Sequence, residues 1–169
     1  VKYSPIVRDF FTAQPRTGAD KFAATFVAKA DLLKLWPVNG FVKGDKVLAA
    51  ISLRVTTREP IVANLQLLHT FAAYRRQGFA SELVMQAYGR IPHDVKYFRV
   101  SSEHDAVEFY RSLGLKFWGK QKSGSFLCIH RITSADPGTG LYDAEDPVIK
   151  GLLFSGRRGS LVERFAQPE

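Results

Sequence analysis

Apolar residues along this chain follow two rhythms. Between Val47 and Val55, and again between Ile61 and Thr70, they come in runs or at every second position, the rhythm of strands. From Phe79 they recur at Leu83, Val84, Ala87, Tyr88 and Ile91, which is one face of a helix. An earlier helical pattern opens at Gly18-Ala19-Asp20 and places Phe22, Phe26, Lys29, Leu33 and Trp36 near one face, a core-packing stripe. Pro37 and Gly40 are its stop signals, and residues 1–17, with Pro5 and Pro15, read as a short strand and an irregular segment.

Turn residues divide the rest. Lys43-Gly44-Asp45-Lys46 joins Phe41-Val42 to the strand Val47–Val55 as a hairpin, and Arg58-Glu59-Pro60 leads into Ile61–Thr70. Three sequential antiparallel strands are therefore expected before the long helix, which Gly89 and Pro92 close. Val95–Val100 reads as a strand. Ser102, with Asp105 three residues on, reads as the N-cap of a short helix over Ala106–Leu113, and Gly114 as its stop. Leu115–Trp118 and Ser125–Ile132 read as a terminal hairpin.

The junction between the third strand and the long helix carries the first chemical signal. Its sequence is Arg75-Arg76-Gln77-Gly78-Phe79-Ala80-Ser81. Gly78 lets backbone approach a ligand closely, and Ala80 is nearly as small. The first N–H groups of a helix lack intrahelical partners and lie at the positive end of its dipole. Such an end, with Arg75 and Arg76 beside it, suits a phosphate group.

Composition narrows the class. At 169 residues and 46% apolar the chain has room for one domain with a real core. One cysteine, Cys128, excludes an intramolecular disulfide and fits a reducing cytoplasm; its place in an apolar alternation reads as packing. There is no apolar run long enough to span a membrane and no signal-peptide pattern. The sequence begins at Val1 and not at Met, so either a trimmed start or an incompletely assigned gene start is expected. Residues 1–132 carry 20 Lys and Arg against 10 Asp and Glu, whereas residues 133–169 carry 4 against 6. The basic surplus of the first part serves an anionic cofactor without requiring nucleic acid, because the cations are dispersed and not clustered. No metal-ligand spacing and no Walker A motif is present.

The pattern Arg75-x-x-Gly78-x-Ala80 after a strand resembles the acyl-CoA-binding motif of the GCN5-related N-acetyltransferase (GNAT) superfamily. A second stretch, Ala106-Val-Glu-Phe-Tyr110-Arg-Ser-Leu-Gly114-Leu-Lys-Phe117, resembles the family's helix with an Ala and a Tyr that runs into a Gly-hydrophobic strand. Two motifs in the right order, about 30 residues apart, are far more specific than either alone. The resemblance covers residues 40–132. It implies an α/β (α+β) fold with a mixed, mostly antiparallel central sheet flanked by helices. It also implies transfer of an acetyl group from acetyl-CoA to the amine of a small molecule or peptide.

Site residues follow from the resemblance. Leu68, His69 and Thr70 would pair through their backbone with the pantetheine arm, and the Leu68 N–H would polarise the thioester carbonyl. Gln77, Gly78, Phe79, Ala80 and Ser81 would hold the pyrophosphate with Arg75 and Arg76. Tyr110 would protonate the leaving thiolate. The sequence departs from the family at Glu103, where an Asn is frequent, and at Asn64 and Gln66, where a Glu or His base is frequent. Neither amide takes a proton, so a water held by both would carry it. His69 falls on the opposite face of the strand and reads as structural. A non-catalytic acyl-CoA-binding module and a nucleic-acid-directed acyltransferase are the rival expectations. Residues 133–169, beyond the resemblance, are expected to form an extension packed on the domain at 1–132 or at a homodimer contact, since Leu152, Leu153, Phe154, Leu161, Val162 and Phe165 are too apolar for a solvated tail.

Overall fold

The structure, a computed structural model, describes residues 38–44, 46–154 and 161–169. The helix expected over residues 20–36, the segment before it, and Arg157 and Arg158 lie outside these residues. The chain forms two compact units, residues 1–54 with 65–87, and residues 55–64 with 88–169.

In the first unit, β1 (Val38–Lys43) and β2 (Lys46–Val55) form the expected antiparallel hairpin, from Val38 opposite Ser52 to Lys43 opposite Lys46. Gly44 turns it at φ +62°. Gly40 is buried inside β1, opposite Ala50; the helix it was expected to stop lies outside the described residues. Residues Val47 to Ser52 of β2 are all buried, which explains their unbroken apolar run. Next in order comes β3 (Val62–Thr70), and α1 (Phe79–Gly89) follows after a short loop. Leu83 and Val84 of α1 are buried, and Phe79 packs its ring 5.7 Å from that of Phe41.

In the second unit the strand order runs from β3 through β4 (Tyr97–Ser102), β6 (Phe126–Arg131) and β5 (Gly119–Gln121) to β7 (Leu161–Arg164). The chain between β3 and β4 passes through α1. The β4–β6, β5–β6 and β5–β7 pairs are antiparallel. Two expectations are corrected here. Ser102 is the last residue of β4, opposite Phe126, and its hydroxyl donates to the Glu103 carbonyl at 2.9 Å, so it caps no helix. A 3-10 turn over His104–Ala106 leads into α2 (Val107–Ser112) instead. Leu115–Trp118 is not itself a strand; the strand is β5, which starts at Gly119.

The end of α2 matches its sequence signal. Gly114, at φ +84°, donates to the Arg111 carbonyl at 2.9 Å, and Leu115 donates to that of Tyr110 at 3.2 Å. Any Cβ at Gly114 would lie 2.6 Å from the Gly138 Cα, so close approach as well as conformation requires glycine there.

Residues 133–169 lie in this second unit. Asp146 caps α3 (Pro147–Phe154) by accepting from the Val148 N–H at 2.9 Å. Ile149 and Leu153 of α3 are fully buried with Trp118, Leu127 and Ile129. Phe165 donates a backbone bond to the Trp118 carbonyl at 2.9 Å, and Glu169 one to that of Phe117 at 2.8 Å. No helix among the described residues is long and apolar enough to cross a membrane.

Candidate functional site

The first unit carries the loop singled out in the sequence. After Thr70 the chain makes a 3-10 turn over Ala72–Tyr74, passes through an extended Arg75, and enters α1. Two residues of this passage are left-handed, Arg76 at φ +62° and Gly78 at φ +83°. The first helical bond runs from the Glu82 N–H to the Gly78 carbonyl at 3.0 Å. The N–H groups of Phe79, Ala80 and Ser81 therefore precede the ladder and have no acceptor within the helix. Left-handed residues beside a helix start form a concave set of N–H groups suited to an anion. Nothing lies within 4 Å of a Cβ built on Gly78, so the loop is open above it.

The two arginines divide their work. Arg75 Nε donates to the Thr70 carbonyl at 3.1 Å and ties the loop to the end of β3. Arg76 is exposed and holds a conformation that costs a non-glycine residue about 1–2 kcal/mol. Glu82, the acid of the first turn, accepts from Gln86 Nε2 at 3.0 Å, so its carboxylate is turned along the helix.

Along β3, Asn64, Gln66, Leu68 and Thr70 share one face by alternation; Gln66 is exposed and the others are half-buried. His69 is on the other face, its ring edge-on to Phe71 at 5.0 Å.

Tyr110 belongs to the second unit. It is buried in α2, with Phe109 5.1 Å and Phe117 6.4 Å from its ring. Burial, with a smaller contribution from the Cys128 thiol, raises its pKa well above that of an ordinary phenol. Cys128 itself is fully buried, which pushes its thiol up to about 12; it is no thiolate nucleophile at neutral pH. The packing expected for Cys128 is what the strand shows.

A buried polar group in this unit escaped the sequence reading. Tyr88 Oη lies 2.8 Å from His130 Nε2, and Tyr142 Oη lies 3.1 Å from His130 Nδ1 and 3.5 Å from Cys128 Sγ. The Tyr142 hydroxyl also accepts from the Lys116 N–H at 2.8 Å. Burial lowers the His130 pKa to about 4, so its ring is neutral at pH 7, with one nitrogen donating and one accepting. This depression has a sign. Between about pH 6.5 and 4 the unfolded chain takes up a proton that the folded chain refuses, so stability falls as pH falls through that window. The full depression corresponds to about 3 kcal/mol. Urea midpoints measured from pH 7 to 4 should fall accordingly, and His130→Gln should flatten that slope while lowering stability at pH 7.

No group of three or more His, Cys, Asp or Glu among the described residues is arranged to hold a metal ion. The family model for the acetyltransferase (GNAT) domain matches residues 39–131, more than half of the chain. The chain belongs to the GNAT superfamily. A mixed, mostly antiparallel central sheet flanked by helices is the fold class expected from the sequence. Solved structures agree with the fold of this GNAT chain. A bacterial toxin is 14% identical, with 77% of this chain and 85% of the toxin covered and a TM-score of 0.61. Tetrahymena GCN5 is 14% identical over 76% and 85%, at a TM-score of 0.53. The Bacillus subtilis N-acetyltransferase YlbP, solved in complex with coenzyme A, is 16% identical over 78% and 93%, at 0.53. At such identities the likeness is one of fold. No curated protein matches the chain in sequence.

Proposed function

We propose that this GNAT protein transfers an acetyl group from acetyl-CoA to a primary amine of a small-molecule or peptide acceptor, in the cytoplasm. The observation that carries the reading is the loop between β3 and α1, where left-handed Arg76 and Gly78 open onto free first-turn N–H groups. In this reading the N–H groups of Gln77 to Ser81 hold the diphosphate, and Leu68, His69 and Thr70 pair through their backbone with the pantetheine arm. The acceptor nitrogen attacks the thioester carbonyl, whose developing oxyanion takes a hydrogen bond from the Leu68 N–H. The carbon–sulfur bond breaks, and Tyr110 gives its proton to the departing thiolate. A water held by Asn64 and Gln66 removes the proton of the amine. Residues 1–132 carry this chemistry, and residues 133–169 support it without touching acetyl-CoA.

The lack of a carboxylate or imidazole beside Asn64 and Gln66 on their face of β3 favours a second reading, an acyl-CoA-binding module that does not turn over. Thiol release from acetyl-CoA, followed across a panel of amines, separates the two. Amine-dependent release above the hydrolytic background supports the enzyme. Tight CoA binding with no release under any amine supports the module.

Arg76 gives a sharper check on the loop. Arg76→Gly removes a left-handed strain and a cation together. Stability of the free protein should rise by roughly 1 kcal/mol, while CoA affinity falls several-fold and becomes less sensitive to salt. Unchanged affinity measured by calorimetry would place the diphosphate away from Arg76.

A further inference from the structure

Thr70 ends β3 and leads into this loop. Its Oγ1 is buried and has no hydrogen-bond partner, alone in this among the side-chain nitrogens and oxygens of the described residues. An unmade bond of this kind is costly, and a valine methyl would fill the same place without the cost. The residue as a whole is only half-buried, and one turn of about 120° about χ1 carries Oγ1 into the place of Cγ2 while Cγ2 moves to that of Hβ. The hydroxyl can therefore change sides without any movement of the backbone.

What it lacks can be read from the groups that follow it. The Thr70 carbonyl is already taken by Arg75 Nε. Arg76 and the first-turn N–H groups of α1 are donors as well. A partner that enters this loop must bring acceptors, and several of them. We infer that the Thr70 hydroxyl is a donor to an oxygen of the acyl-CoA diphosphate, and that it stays unsatisfied until the ligand arrives. This rests on the proposed acyl-CoA site at Arg75–Ser81, and adds to it a side-chain contact that the backbone pairing does not require. The free protein then carries a small instability that binding removes.

The test compares melting of the free protein with calorimetric affinities for CoA and for pantetheine. Thr70→Val should raise the melting temperature of the free protein by a few degrees and weaken CoA binding by roughly ten- to hundredfold. Thr70→Ser should stay within about threefold of the parent, and pantetheine should bind the parent and the Val variant alike. A Val variant that binds CoA like the parent overturns the inference while leaving the loop assignment intact. Equal losses for CoA and pantetheine overturn it too, because the contact would then be with the arm. A parent chain that does not bind CoA ends the loop assignment and this inference together. Should Thr70→Val fail to fold, Thr70→Ala against Thr70→Ser isolates the hydroxyl, and equal CoA affinities for those two also overturn it.

Discussion

Tyr110→Phe is expected to lower kcat by about 10–1000-fold, the usual span of acid catalysis, with CoA affinity changed by no more than about twofold. The substitution removes one oxygen and keeps the ring that packs beside Phe109 and Phe117. Stability should therefore hardly change. Burial raises the phenol pKa, which at first sight makes Tyr110 a poorer acid. The same low-polarity surroundings would raise the proton affinity of a thiolate leaving into them, so donor and acceptor remain matched. The raised pKa also predicts the shape of the pH profile. Tyr110 stays protonated throughout the range in which enzymes are assayed, so its ionisation should impose no alkaline fall in kcat up to about pH 10. A Phe variant as active as the parent would remove Tyr110 from the mechanism. A fall at lower pH that disappears in the Phe variant would show that burial does not hold the phenol neutral.

Much of the fold was legible because its signals are local. The hairpin of β1 and β2 follows from Gly44 between two apolar runs, and α1 from its 3.6-residue period beginning at Phe79. The candidate loop was legible for the same reason, since Gly78 between a strand and a helix start has few readings. The sequence misled where a long-range pairing overrode a local preference. Ser102 looks like a cap, yet its place opposite Phe126 holds it in β4. The buried group of Tyr88, His130 and Tyr142 had no signature at all. Its members are 42 and 12 positions apart, and each alone passes for an ordinary core or strand residue. The left-handed Arg76 was equally hidden, because no composition rule assigns a positive φ to arginine.

A chain cut after Ser134 is expected not to fold its second unit. Its charge balance changes sign near Thr133, but its packing does not stop there. The cut removes Ile149 and Leu153, both fully buried, and uncovers Trp118, Leu127 and Ile129. Each such side chain contributes about 1.5–3 kcal/mol by its burial, so losing the whole set consumes most of the roughly 5–15 kcal/mol that a domain has in hand. The cut also strips Tyr142 from His130 Nδ1 and from the Lys116 N–H, and leaves β5 without β7 on one edge. Leu153→Ala is the graded form of the same experiment. It should cost about 2–5 kcal/mol in urea unfolding, because α3 has no other fully buried residue than Ile149 to hold it. Binding of CoA to the folded Leu153→Ala protein should be unchanged, since the proposed cradle lies on Arg75–Ser81 in the other unit. A soluble, cooperatively melting chain ending at Ser134 would show that β4, β5 and β6 hold together without α3 and β7. A Leu153→Ala protein that melts normally but loses CoA would instead bring residues 133–169 into the binding of the cofactor.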